Sequence, residues 1–222
     1  MVQKSTLDFL KTLSKNNNKP WFDEHRNEYL DAKVDFGNFV ATLIKKTAQF
    51  DSDIRDLQIK DCVFRINRDI RFSKNKTPYK TNMGASFDKG GKKSIYAGYY
   101  FHAEPGGKSF AGGGIWMPMA PELKKIRQEI DYNLDEFKRI VEAKSFVTEY
   151  KELENSADLK LNNLPRGYDK ENPAGEYLKF KSLVAIKYLS DEDITSNKLT
   201  VKVVKAFKTL MPLVKFINKA IE

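Results

Sequence analysis

Three of the eight arginines in this 222-residue chain, Arg65, Arg68 and Arg71, fall within seven residues. From Arg65 to Lys80 six basic residues stand against one acid, Asp69, so the run nets +5. Arginine presents a planar, permanently charged fork that grips phosphate or carboxylate with two hydrogen bonds, whereas lysine is a mobile point charge. The lysines are scattered over almost every segment. Clustered arginines therefore point to one defined anion more than to a generally basic surface.

The run also alternates. Cys62, Phe64, Ile66, Ile70 and Phe72 share one parity with Arg68, and Arg65, Asn67, Asp69 and Arg71 share the other. Period-two patterning predicts a strand over 62–72, with same-face neighbours about 6.5–7 Å apart. Asp69, between two arginines, would orient them and leave a net positive face. Arg68 interrupts the apolar face, so it must meet a buried carboxylate or sit at a bulge that turns it outward. A loop from Ser73 to Pro78 then brings Lys76, Tyr79 and Lys80 back toward the strand end. Two readings stand side by side. Arg65, Asp69 and Arg71 could be an ion-pair ladder on a half-exposed strand, each pair worth about 0.2–1 kcal/mol. The surplus of positive charge favours a ligand site.

His25 lies beside the apolar stripe of a predicted helix, where a histidine is ordinarily a packed residue. Alternatively Asn17, Trp21 and His25 face the arginine run, and His25 is then the evident acid or base near neutral pH. The candidate proton-moving groups are thus Asp69 and His25. The candidate ligand-binding groups are Arg65, Arg68, Arg71, Lys76, Tyr79, Lys80, Trp21 and Asn17. No metal site is expected, because two histidines 77 residues apart and one cysteine make no zinc ligand set. Cys62, in the apolar parity, reads as a packing residue. Gly107-Lys108-Ser109 lacks the earlier glycine of a phosphate-binding loop, since that position is His102. No cofactor is indicated, and whether the chain is an enzyme stays open.

The pattern Arg-x-x-Arg-Asp-x-Arg-Phe-x-x-Asn-Lys-x-x-Tyr from Arg65 to Tyr79 resembles the signature of the domain-of-unknown-function 2461 family. Asn17–Arg26 (NNKPWFDEHR), Gly112–Pro118 (GGGIWMP) and Leu164–Pro173 (LPRGYDKENP) agree with that resemblance. It implies a protein of about this length whose arginine run matters, and carries no assigned activity.

The elements that would position these residues follow from periodicity and punctuation. Leu7, Leu10 and Leu13 predict a first helix. A second from about Trp21 to Thr47 carries Phe22, Tyr29, Phe36, Val40 and Leu43, with a possible break at Gly37. Short strands are predicted at Gly84–Phe87, Tyr96–Glu104, Ser109–Trp116 and Leu183–Leu189, the middle two joined by a hairpin at Pro105–Lys108. Gly112–Gly114 marks a bulge or a close approach by a ligand or another backbone. Helices are predicted after Pro121, over Leu134–Ala143 and from Leu199 to Ile221, the last kinked at Pro212. Asn162–Pro173 should be extended. The fold class is α+β, one domain over 1–222, with a largely antiparallel sheet packed by N-terminal and C-terminal helices.

Composition bounds the partners. With 41% hydrophobic and 31% charged residues and no long apolar run, no membrane span is expected, and one cysteine suits the reducing cytoplasm. The net charge of +9 makes attraction to polyanions general at low salt. An anionic small molecule, phosphorylated or carboxylated, is the favoured partner. An acidic protein surface comes second and nucleic acid third, since no nucleic-acid motif is present.

Overall fold

Local signals set the helices. In the computed structural model, which describes residues 1–222, α1 (Lys4–Lys15) buries Leu7, Leu10 and Leu13 together with Phe9. Asn18 then caps α2 (Lys19–Glu24), its side-chain oxygen accepting from the Trp21 N–H, with Pro20 in the first turn. The single helix expected from Trp21 onward is two: α3 runs Arg26–Thr47, and the break falls at His25 (φ −99°, ψ 25°) rather than at Gly37. Gly37 stays inside α3, packed against Ile59, whose methyl would lie at an ordinary contact distance of 3.6 Å from an added Cβ.

The sheet has four antiparallel strands, β1 (Met83–Asp88), β2 (Gly98–Ala103), β3 (Ser109–Ile115) and β4 (Leu183–Leu189), in the spatial order β1-β2-β3-β4. The chain is α+β. The predicted strand over 62–72 is the chief departure. Ile59–Cys62 closes a helical turn, α4, and the chain beyond is extended but makes only isolated bridges, Val63 with Ala85 and Asn67 with Tyr79. The alternation survives in part: Arg65, Asn67, Asp69 and Arg71 are exposed and Cys62 and Ile66 buried, but Phe64 and Ile70 are only half-buried and Phe72 is 96% exposed. What is missing is a partner long enough to sustain a ladder, since 66–68 is met only by 78–80, through Arg68 N–H to Pro78 O (2.9 Å) and Lys80 N–H to Ile66 O (2.8 Å).

By contact the chain divides into two compact units, one of residues 1–92, 100–111 and 188–205 and the other of residues 93–99, 112–187 and 206–222. In the first, Phe101 of β2 stacks on Phe36 and meets Phe39 edge-on, both from α3, and Thr6 and the Gln3 N–H both donate to Asp35 (2.6 and 2.8 Å). Its last piece holds α9 (Asp191–Thr195), opened by a Ser190–Asp193 capping box. Asp191 turns its carboxylate to the hairpin tip, accepting from Gly106 N–H and Gly107 N–H at 2.9–3.0 Å.

The second unit carries α5 (Ala120–Tyr132), α6 (Leu134–Val141), α7 (Lys144–Tyr150), α8 (Gly175–Leu178) and the greater part of α10 (Leu199–Ile221). Phe137 of α6 packs between Tyr177 and Phe216, and the Tyr150 hydroxyl donates to Ala206 O (2.6 Å). Here the triple glycine finds its reason. Gly113 (φ 152°) and Gly114 (φ 111°) lie so close to the neighbouring strands that a Cβ would run into the Gly98 and Leu183 carbonyl oxygens. The close approach is by backbone. No helix is long and apolar enough to cross a membrane.

Candidate anion site

All ten residues singled out from the sequence lie in the first unit, and two hydrogen-bonded clamps shape their setting. Asn17 pairs with the backbone of Tyr79 in both directions, Nδ2 to Tyr79 O (2.9 Å) and Tyr79 N–H to Oδ1 (3.0 Å). The Tyr79 ring, 7% exposed, stacks on Phe22 at 3.9 Å. Asn17 and Tyr79 thus tie the returning limb of the 66–80 hairpin to the start of α2. Trp21 lies flat on His25 (4.0 Å, 15°), and the His25 Nδ1–H donates to Trp21 O at 2.9 Å. That bond leaves Nε2 as the imidazole's free acceptor.

The three arginines have different fates. Arg71 is held by Asp69 through two parallel bonds, Nε to Oδ1 (3.0 Å) and Nη2 to Oδ2 (2.7 Å). The Arg71 guanidinium keeps the Asp69 carboxyl below its usual range, with Arg65 a lesser contributor. Both side chains are well exposed, at 76% and 46%, so the pair contributes little to stability. Arg68 meets no carboxylate. Its Nη1 donates to Thr77 O (2.9 Å) and to the Thr77 hydroxyl, and its Nη2 reaches Ser73 Oγ (3.4 Å), so a half-buried guanidinium staples the loop from inside. Lys76 closes the same loop, donating to Ile70 O at 3.0 Å.

Arg65 and Lys80 differ from the rest. Arg65 is exposed and Lys80 half-buried, and neither has a carboxylate at ion-pair distance. The Lys80 ammonium sits 5.3 Å from the Phe64 ring centroid. Burial, and then the charge of Arg65, push its pKa below the ordinary lysine value. Two cations are therefore held close enough to disfavour one another.

Next to them lies a group that sequence reasoning passed over. Tyr100, His102 and Glu104 alternate along β2 and its continuation. His102 Nε2 donates to Glu104 Oε2 (2.9 Å), and Thr81 Oγ1 donates to Glu104 Oε1 (3.3 Å). Burial lowers the His102 pKa against the raising effect of Glu104, and Lys80 lowers it further. The His102 Nδ1 is buried without a partner. Phe110 stacks on it at 4.7 Å, and Phe64, Tyr100, Phe110 and Tyr188 follow one another at centroid spacings of 5.6–6.2 Å. The signal that would have found this cluster was the shared parity of Tyr100, His102 and Glu104.

These features describe an α+β protein in which a stapled loop sets a pair of uncompensated cations beside an aromatic sheet surface. The chain belongs to the family described as Conserved hypothetical protein (DUF2461), whose model matches residues 5–216. No curated protein and no solved structure matches it.

Proposed function

We propose that the first unit binds a phosphorylated or carboxylated small molecule, and that Arg65 and Lys80 are the groups that hold it. One observation carries this reading: a half-buried lysine faces an arginine with no carboxylate on either, so an anion between them relieves a repulsion the protein leaves standing. Arg68, Lys76, Asn17 and Tyr79 support the loop, while Trp21 packs on Phe9 and His25. Asp69 presets Arg71. Any proton transfer falls to Asp69 or His25.

Thermal unfolding in the presence of phosphate, sulfate and mononucleotides tests it at low salt. A ligand present at ten times its Kd adds about 1.4 kcal/mol to the stability of the wild type. The Arg65→Ala, Lys80→Ala double variant loses most of that gain. Equal stabilisation of the double variant, or none of the wild type by any anion, overturns the proposal.

A second reading, docking of an acidic protein segment, draws on a shallow groove of about 630 Å³. Its lining includes the apolar Ile44, Leu57 and Ile59 and the cationic Lys45, Arg55 and Lys60. Charge reversal at Lys45 and Arg55 abolishes such docking and leaves phosphate binding intact. Binding of an acidic peptide that survives the reversal removes this reading.

A further inference from the structure

The second unit contains a half-buried arginine with a donor left unmet. Arg127, on the middle of α5, is half-buried, and its one protein bond is from Nη2 to Phe180 O at 3.0 Å. Its Nε is buried with no partner at all. A guanidinium offers five donors, and leaving one unmet in a desolvated place is unfavourable. The residue positioned to neutralise it does not: Asp131, one helical turn on, instead accepts from Asn172 Nδ2 at 2.6 Å and forms no ion pair with Arg127. Burial drives the Arg127 pKa down, and the only opposing influence is the phenol of Tyr168. The Asn172–Asp131 bond pins the 164–173 segment to α5 and so brings Tyr168 to this place.

A second feature is bonded to the same 180–182 segment. The chain leaving β3 turns at Met117 with φ 44°, a left-handed conformation that a side-chain-bearing residue rarely adopts. The turn is held by Met117 N–H donating to the hydroxyl of Ser182 (2.8 Å), two residues from the carbonyl that holds Arg127. It leaves Trp116 64% and Met117 44% exposed. The 180–182 segment thus ties this turn, with its solvent-facing indole, to the stretch of chain that holds the Arg127 guanidinium, joining an apolar part to a charged part.

We propose that Arg127 anchors a second anion site, which takes the carboxylate or phosphate of a small amphipathic acid whose ring or hydrocarbon lies on Trp116. Arg127 supplies the charged fork, Tyr168 a hydroxyl beside it, and Trp116 and Met117 the apolar wall. The site is independent of Arg65 and Lys80.

Fluorotryptophan labelling tests it, because the chain has only two tryptophans, Trp21 and Trp116. Phenyl phosphate is the probe, with benzoate, inorganic phosphate and phenol as companions. The ¹⁹F resonance of Trp116 should shift saturably with phenyl phosphate or benzoate, and only weakly with phenol. Arg127→Gln should weaken that response by about tenfold, the loss of one charged hydrogen-bonding group. The Arg65→Ala, Lys80→Ala variant should leave it unchanged, which separates failure here from failure of the first site. Should Arg127→Gln not fold, the exposed Trp116→Ser variant serves: calorimetry should show weaker phenyl phosphate binding with inorganic phosphate binding unaltered. An unmoved Trp116 resonance, an Arg127→Gln variant that responds like wild type, or a Trp116→Ser variant that binds phenyl phosphate equally well overturns the proposal.

Discussion

At the scale of single residues, the chemistry that burial imposes is clearest at Asp88. Burial pushes its carboxyl up to about 7, against the favourable hydroxyl of Ser86, which lies 2.8 and 2.7 Å from its two oxygens. A carboxyl whose folded pKa exceeds its unfolded value resists ionisation in the native state. Stability is then full below about pH 4 and falls as pH climbs toward 7. Asp88→Asn, which keeps the bond to Ser86, should therefore stabilise the protein at about pH 8, on the order of 2 kcal/mol, and hardly at all at about pH 4. Urea unfolding at both values reads the difference, and an equal effect at the two removes this account. The same burial makes Cys62 inert, its thiol pushed up to about 12.

Elements were legible where a periodic signal could act alone. The Pro105–Lys108 hairpin and the Leu183–Leu189 strand are each written in a few adjacent residues, and each formed. The 62–72 alternation was equally plain and still produced no strand, because a ladder needs a neighbour and no sequence window contains one. The broken helix at His25 and the isolated bridges of the 66–80 loop belong to the same class of long-range outcome. The candidate site shows the same division. Asp69 and Arg71, two residues apart, paired as their spacing suggested, whereas Arg127 was invisible until Phe180 and Tyr168 were placed around it. Gly113→Ala tests the element scale, since its Cβ would meet the Gly98 carbonyl oxygen and the Leu210 side chain. It should cost on the order of 3 kcal/mol or more in chemical denaturation. Asn17→Ala, which loses both bonds to Tyr79, should cost roughly 2 kcal/mol and speed amide exchange at Tyr79. A fully protected Tyr79 amide in that variant would contradict the clamp.

For the molecule as a whole, the +9 charge makes general affinity for polyanions unavoidable, and that affinity must be told apart from a site. Binding of a single-stranded oligonucleotide through dispersed lysines should fall by several orders of magnitude between about 50 and 200 mM salt. It should barely change in the Arg65→Ala, Lys80→Ala variant, and fluorescence anisotropy across a salt series measures both. A weak salt slope together with strong dependence on those two residues would instead return nucleic acid to the front. One further trait of the chain bears on how it can be handled. The tip at Gly106 and Gly107 reads as a natural place to splice in a tag or reopen the chain as a permuted variant. Its amides, however, are moored to Asp191, 85 positions downstream. Inserts there would cut a tether between remote stretches, so reporter fusions belong elsewhere, and a graft that left expression and melting untouched would show the mooring to be ornamental.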